Sequence, residues 1–180
     1  MVREKLIRSI ASLAVFMGLL MIPAAVFADS APVKYLDADG TEQTAYEYTG
    51  TAGWPGDTTG TTLGGAGGKA YWYVLDSDVN YNNCRLTIFG NVHLILKDGC
   101  TLNAKHGIRM AANNSAGASL TVYAQSTDKE TMGKLIANAS DEESCAGIGG
   151  NGEEAGGSVT INGGRIEATG GKYGAGIGGS

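Results

Sequence analysis

The stretch Ser158-Val-Thr-Ile-Asn-Gly-Gly-Arg-Ile-Glu-Ala-Thr-Gly-Gly171, with Gly174-Ala-Gly-Ile-Gly-Gly179 just after it, decides how the chain folds. Val159 and Ile161 alternate with Thr160 and Asn162, and Ile166 and Ala168 alternate with Glu167 and Thr169. Alternation at period two marks short strands with one buried and one wet face. The order of pieces, an LTI-type strand, a Gly-led second strand and a Gly-Ile element, recurs upstream. Ser119-Leu-Thr-Val122 precedes Gly133-Lys-Leu-Ile-Ala-Asn138 and Ala146-Gly-Ile-Gly-Gly150. Leu86-Thr-Ile88 precedes Gly99-Cys-Thr-Leu-Asn-Ala104 and Gly107-Ile108. Spacings are 34 and 39 residues from Thr87 to Thr121 to Thr160, and 40 and 29 from Ile108 to Ile148 to Ile177. Because the period is loose, the insertions are assigned to turns. No segment after residue 29 shows a capped helical period. Short strands with Gly-rich corners point to an all-β solenoid, sandwich or barrel, and the repeat selects the solenoid.

Glycine supplies the φ > 0 corners that a tightly turning chain needs. A flexible Gly-rich linker is the competing reading, since 14 of the 28 glycines after residue 28 lie between Ser144 and Ser180. The in-register Val, Ile and Ala insertions oppose it. Ile108, Ile148 and Ile177 are expected to point inward and stack as an apolar ladder.

Upstream, Val33 to Tyr48 reads as two strands around an Asp39-Gly40 turn. Thr49 to Lys69 is a Gly/Thr-rich loop containing Trp54, and Ala70-Tyr-Trp-Tyr-Val-Leu75 is a further strand. Terminal coils of repeat folds are atypical because they cover an exposed sheet edge, so residues 29–82 are assigned to an N-terminal β cap and 83–180 to the repeats. The chain stops directly after a Gly-Ile-Gly-Gly element, and continuation into further repeats is expected.

Residues 1–28 are set apart. Arg3, Lys5 and Arg8 precede an apolar run from Ile10 to Ala28 that ends on Val26-Phe27-Ala28, the pattern of a secretory signal peptide cleaved after Ala28. The alternative is a retained membrane anchor, which Pro23 and the short apolar run oppose. No later segment is apolar enough to span a bilayer. The formal charge of −5, or −7 without the first 28 residues, opposes nucleic-acid binding. A secreted or cell-surface protein is expected. Cys84, Cys100 and Cys145 are an odd set. Cys84 and Cys100 flank two strand-like runs and could pair; three small buried thiols are the other reading.

The run Tyr73-Val-Leu-Asp-Ser-Asp-Val79, the segment Leu86 to Ala104 and the two Ala-Gly-Ile-Gly-Gly elements resemble large exported Gly-rich repeat proteins of gut Gram-positive bacteria. That resemblance covers residues 33–180. It implies a right-handed parallel β-helix of the pectate-lyase-like class, some members of which bind or cleave polysaccharides while others are adhesins. A lyase of that class implies stacked Asp/Glu holding Ca²⁺ with an Arg or Lys base nearby. Glu167 and Arg165 instead align with Ile136 and Lys134, then with Asn103 and Thr101, so no acidic ladder forms.

Other chemistry is sparse. A glycosidase would need two carboxylates across a cleft; Asp76 and Asp78 share a strand face without a nameable partner and are read as solvated cap residues. His93 and His106 lack the repeated ligand spacing of a zinc site. For calcium, hard carboxylate oxygens come together in Asp141-Glu142-Glu143 and Glu153-Glu154, although solvated acidic turns are the better reading of them. Trp54, Tyr71, Trp72 and Tyr73 are the strongest candidates for sugar binding, since aromatic faces stack on apolar sugar faces. Tyr71 and Tyr73 share one face and Trp72 takes the other, so part of the set must be core. Asn113-Asn-Ser115 and Asn138-Ala-Ser140 fit a glycosylation pattern but are read as turns. Taken together, the residues lead to a non-catalytic exported module binding polysaccharide or host glycan, with a lyase-type enzyme fragment and a ligand-free structural spacer as alternatives.

Overall fold

The structure, a computed structural model, describes residues 31–111 and 117–179. The signal-peptide segment 1–28 and the Asn113-Asn-Ser115 motif lie outside the described residues.

Among the described residues the chain is all-β apart from one 3-10 turn at Thr51–Gly53. An antiparallel hairpin comes first, β1 (Val33–Leu36) and β2 (Glu42–Ala45). Its turn is set as the Asp-Gly pair requires. The Asp37 carboxylate accepts the Asp39 and Thr41 amides at 3.0 and 2.9 Å, and Gly40 takes φ +74°. The Thr41 amide and the Gln43 side chain hold the Asp37 carboxyl below its usual range.

The remaining strands are β3 (Thr49–Gly50), β4 (Thr62–Gly64), β5 (Ala70–Leu75), β6 (Val79–Tyr81), β7 (Leu86–Phe89), β8 (Asn91–Leu96), β9 (Thr101–Ala104), β10 (Ile108–Met110), β11 (Ser119–Ala124), β12 (Lys134–Asn138), β13 (Ile148–Gly149), β14 (Ser158–Ile161), β15 (Arg165–Thr169) and β16 (Ile177–Gly178). They form three parallel sheets: a first in the order β3-β5-β8-β11-β14, a second β6-β9-β12-β15, and a third β4-β7-β10-β13-β16. From β5 onward the chain visits the first, second and third sheets in rotation, four times.

Alternation places one residue in two inside. Leu86, Ile108, Ile148 and Ile177 are register partners in the third sheet. Val92 and Leu120 pair in the first sheet, and Leu102 and Leu135 in the second. All of these except Ile177 are fully buried, whereas Ile177 is 43% exposed because β16 is paired on one side only. Position therefore sets the cost of a deletion. Ile108→Ala is expected to lose about 2–5 kcal/mol in urea unfolding, and Ile177→Ala under about 1 kcal/mol, since its side chain never fully leaves water.

One expectation needs correction. Thr87 does not align with Thr121. It pairs with Arg109 in the third sheet, and the partner of Thr121 is His93. Leu86-Thr-Ile and Leu120-Thr-Val share an alternation, and alternation specifies a strand without specifying which sheet takes it. The strands β3 to β6 belong to the same three sheets as the strands after residue 82. Residues 51–61 make no strand. They lie against β6 and the turn after it: Tyr81 Oη donates to Pro55 O at 2.9 Å, and Asp57 accepts the Asn82 and Asn83 amides at 2.8 and 3.0 Å. Val33 and Ala45 pack with Val74, Ile95 and Tyr123 in a small second core on the outer face of the first sheet, with Tyr35, Tyr48 and Trp72 around it.

Candidate functional site

Where the hairpin leaves the first sheet it opens a cleft of about 450 Å³, lined by Tyr35, residues 44–49 and residues 69–73. The cleft follows the edge of β5, which β3 pairs only at Tyr73 and Val74. Ala70, Tyr71 and Trp72 therefore have no strand neighbour on that side.

Each aromatic is positioned by an identifiable contact. Trp72 points to the outer face and stacks on His93, with centroids 4.3 Å apart and planes 18° apart. Tyr123 continues the stack, and the Tyr35 ring from the hairpin closes over it, 5.4 Å from Trp72 and 4.8 Å from Tyr123. Tyr71 and Tyr73 point the other way, half-buried against the main core. The Tyr71 hydroxyl donates to Ala66 O at 2.8 Å, and the Tyr73 hydroxyl accepts the Gly64 amide at 2.9 Å. The Lys69 ammonium lies 4.8 Å above the Tyr71 ring. Tyr46, 70% exposed, is the least engaged of the set.

The structure thus brings Tyr71, Trp72 and Tyr73 to one cleft and places Trp54 beside it. Trp54 stands edge-on to Tyr73 at 5.9 Å, with its indole N–H donating to Thr49 O at 3.1 Å. Sequence reasoning missed Tyr35, Tyr46, Tyr48 and Lys69 as lining residues. The signal available for two of them was the Tyr46-Glu47-Tyr48 alternation just past β2.

His93 lies against a cleft residue, stacked on Trp72. Its Nδ1 lies 2.9 Å from the Tyr123 hydroxyl, and burial pushes its pKa down, so the folded chain favours the neutral ring. This stabilisation is complete above the ordinary imidazole pKa of about 6.5 and is lost as pH falls through the lowered value. Hydrogen exchange of the β1 and β2 amides is expected to accelerate on acidification, and His93→Phe to flatten that dependence.

The carboxylates are dispersed. Glu154 takes two bonds from the Arg109 guanidinium, one of them Nε to Oε2 at 2.8 Å, and those bonds hold its carboxyl below the usual range. Glu142 Oε1 lies 2.9 Å from His106 Nδ1, and the other His106 nitrogen lies 2.9 Å from Asn82 O. Asp141, Glu143 and Glu153 join neither contact. Among the described residues no three His, Cys, Asp or Glu side chains come together as a metal site. Glu167 is in register with Ile136 and Asn103, and it pairs with Arg165 of its own strand at 2.8 Å.

Asp76 accepts the amide and hydroxyl of Thr51, and Asp78 the Thr101 amide at 2.7 Å, so both secure turns. Asn138 does the same for the Ser140 amide at 2.9 Å. Cys84 and Cys100 are not joined. The Cys84 thiol donates to Asp57 at 3.3 Å and the Cys145 thiol to Asn151 at 2.6 Å.

No protein-family model, no curated protein and no solved structure matches the chain.

Proposed function

We propose that the protein is a non-catalytic carbohydrate-binding or adhesive module, exported to the cell surface or the medium, with the aromatic cleft as its binding site. The observation that carries this reading is that Tyr46, Tyr71, Trp72 and Tyr73 all line one open cleft along the edge of β5. Aromatic faces receive the C–H face of a pyranose, while hydroxyls and backbone groups at the β5 edge are available to its hydroxyls. We read the three sheets as the walls of a right-handed parallel β-helix. In support, each β5-β6-β7 circuit repeats in parallel register, and parallel crossovers are right-handed in nearly all proteins. The basic, apolar and small-residue order of positions 1–28 supports export. The dispersal of carboxylates favours binding over glycosidic cleavage.

A glycan array probed with the full chain tests the proposal, followed by calorimetry of the best ligand. Retention of a glycan is expected, and Tyr46→Ala should weaken it by roughly fivefold to tenfold, the worth of one aromatic contact. The thermal midpoint should not move, because Tyr46 packs little. A chain that retains no glycan contradicts the reading and leaves a structural spacer.

A further inference from the structure

We infer that a second cleft, at the start of the second sheet, extends the first, so that the ligand is an oligosaccharide running across Trp54 rather than a single terminal sugar. The inference rests on the carbohydrate reading of the first cleft. The second cleft has a volume of about 430 Å³ and is lined by residues 51–52, 54–57 and 77–81. Its lining meets that of the first at the Trp54–Tyr73 edge-to-face pair, whose centroids are 5.9 Å apart.

The chemistry of its lining fits adjacent sugar hydroxyls. Asp57 is fully used: it receives the amides of Asn82 and Asn83, the Asn83 side-chain amide and the Cys84 thiol. Asp76, Thr51 and Ser77 are tied to one another, with the Ser77 and Thr51 hydroxyl oxygens 2.6 Å apart. Asp57, Thr51 and Ser77 make a fixed wall, the Thr51 hydroxyl held by Asp76. Asp78 and Asn80 keep unused capacity. Asp78 spends Oδ1 on the Thr101 amide, leaving Oδ2 as an acceptor. Asn80 spends its carbonyl oxygen on Asn103 at 3.4 Å, leaving its NH₂ as a donor. A carboxylate acceptor just before β6 and an amide donor within it, beside an indole, match a pair of neighbouring hydroxyls on a ring whose apolar face meets Trp54. A charge-assisted bond to a hydroxyl adds discrimination that stacking alone lacks.

Calorimetry of the full chain with glucan-, xylan- and mannan-derived oligosaccharides, from disaccharide to hexasaccharide, tests the inference. Affinity should rise with length. Asp78→Asn keeps an oxygen for Thr101 but turns the spare acceptor into a donor, and Asn80→Ala removes the donor. Asp78→Asn should cost roughly tenfold for the hexasaccharide, the scale of a hydrogen bond to a charged group, and Asn80→Ala roughly threefold to tenfold, the scale of a neutral one. Asn80 is exposed, so its variant reports on binding even if Asp78→Asn loosens the turn. Hexasaccharide affinity that is flat with length, or unchanged in both variants while Tyr46→Ala still loses affinity, overturns the second cleft and leaves the first standing. If no oligosaccharide binds, both fall.

Discussion

Arg85→Met is expected to lower the stability of the chain by about 3–4 kcal/mol in urea unfolding. The Arg85 guanidinium holds together the turns between the second and third sheets. Its Nη1 donates to His106 O at 2.9 Å, and its Nη2 to Ala146 O at 2.6 Å and to Ile108 O and Gly150 O at 3.3 Å. These carbonyls belong to two successive circuits, so one side chain ties three levels of the fold. Burial pushes the Arg85 pKa down from its ordinary value, with the Cys145 thiol and the Glu142 and Glu154 carboxylates acting against that shift. Methionine fills the channel but offers no donor, and each orphaned buried carbonyl costs about 1–3 kcal/mol. The total stays below four times that range because Gly150 O keeps the Ala146 amide at 3.1 Å, and because Arg85 is only partly buried, so water can reach some of the freed oxygens. Arg85→Lys should recover less than half of the loss, since a single ammonium cannot reproduce the fork. A methionine variant within about 0.5 kcal/mol of the parent, the scatter of ordinary surface substitutions, would show that the guanidinium is incidental.

Gly149→Ala should cost about 3 kcal/mol and strip hydrogen-exchange protection from residues 175–179. Gly149 sits at φ +148°, which L side chains rarely adopt, and a Cβ there would collide with the Gly178 carbonyl oxygen. A Cβ at Gly147 would likewise come within 2.6 Å of Gly176 O. The two Ala-Gly-Ile-Gly-Gly segments lie backbone against backbone, with Gly147 N to Ala175 O at 3.0 Å, Ile148 N to Gly176 O at 2.9 Å and Gly150 N to Gly178 O at 2.9 Å. Because the obstructing atoms are backbone, no rotamer change relieves the clash, and β16 must separate from β13. Gly99→Ala is the comparison. Gly99 has φ +79° but open space around its Cβ, so only the left-handed backbone cost of about 1–2 kcal/mol applies. Equal losses at Gly149 and Gly99 would mean that conformation, not close packing, explains the motif.

What was legible in the sequence was local or repeated. The Asp39-Gly40 turn announced the hairpin because its geometry is written in adjacent residues. The Ile108, Ile148 and Ile177 column, and the alignment of Lys134 with Arg165 and Ile136 with Glu167, followed from motifs that recur with little change. Long-range choices were not legible. His93-Leu-Ile-Leu96 and Leu86-Thr-Ile-Phe89 are both good strands, and pairing partners settle which of them faces Thr121. The hairpin docks through Tyr35 on Trp72 and Tyr123, residues 37 and 88 positions away, and no local pattern encodes that contact. The aromatic run at residues 71–73 marked half of the cleft. The other half, Tyr46 and Tyr48, is assigned only once the hairpin's position is known. For the same reason the sequence did not show that Glu142 and Glu154 face His106 and Arg109, which the chain brings from 36 and 45 residues upstream.

Chemical-shift mapping of the full chain, titrated with the same oligosaccharides, tests most directly whether the aromatic cleft is the binding site. The account predicts that perturbations concentrate on Tyr46, Glu47 and residues 69–73, spreading to Trp54, Asp78 and Asn80 with longer chains. Perturbations centred on Asn103, Ile136 and Glu167 of the second sheet, or none at all, would contradict it.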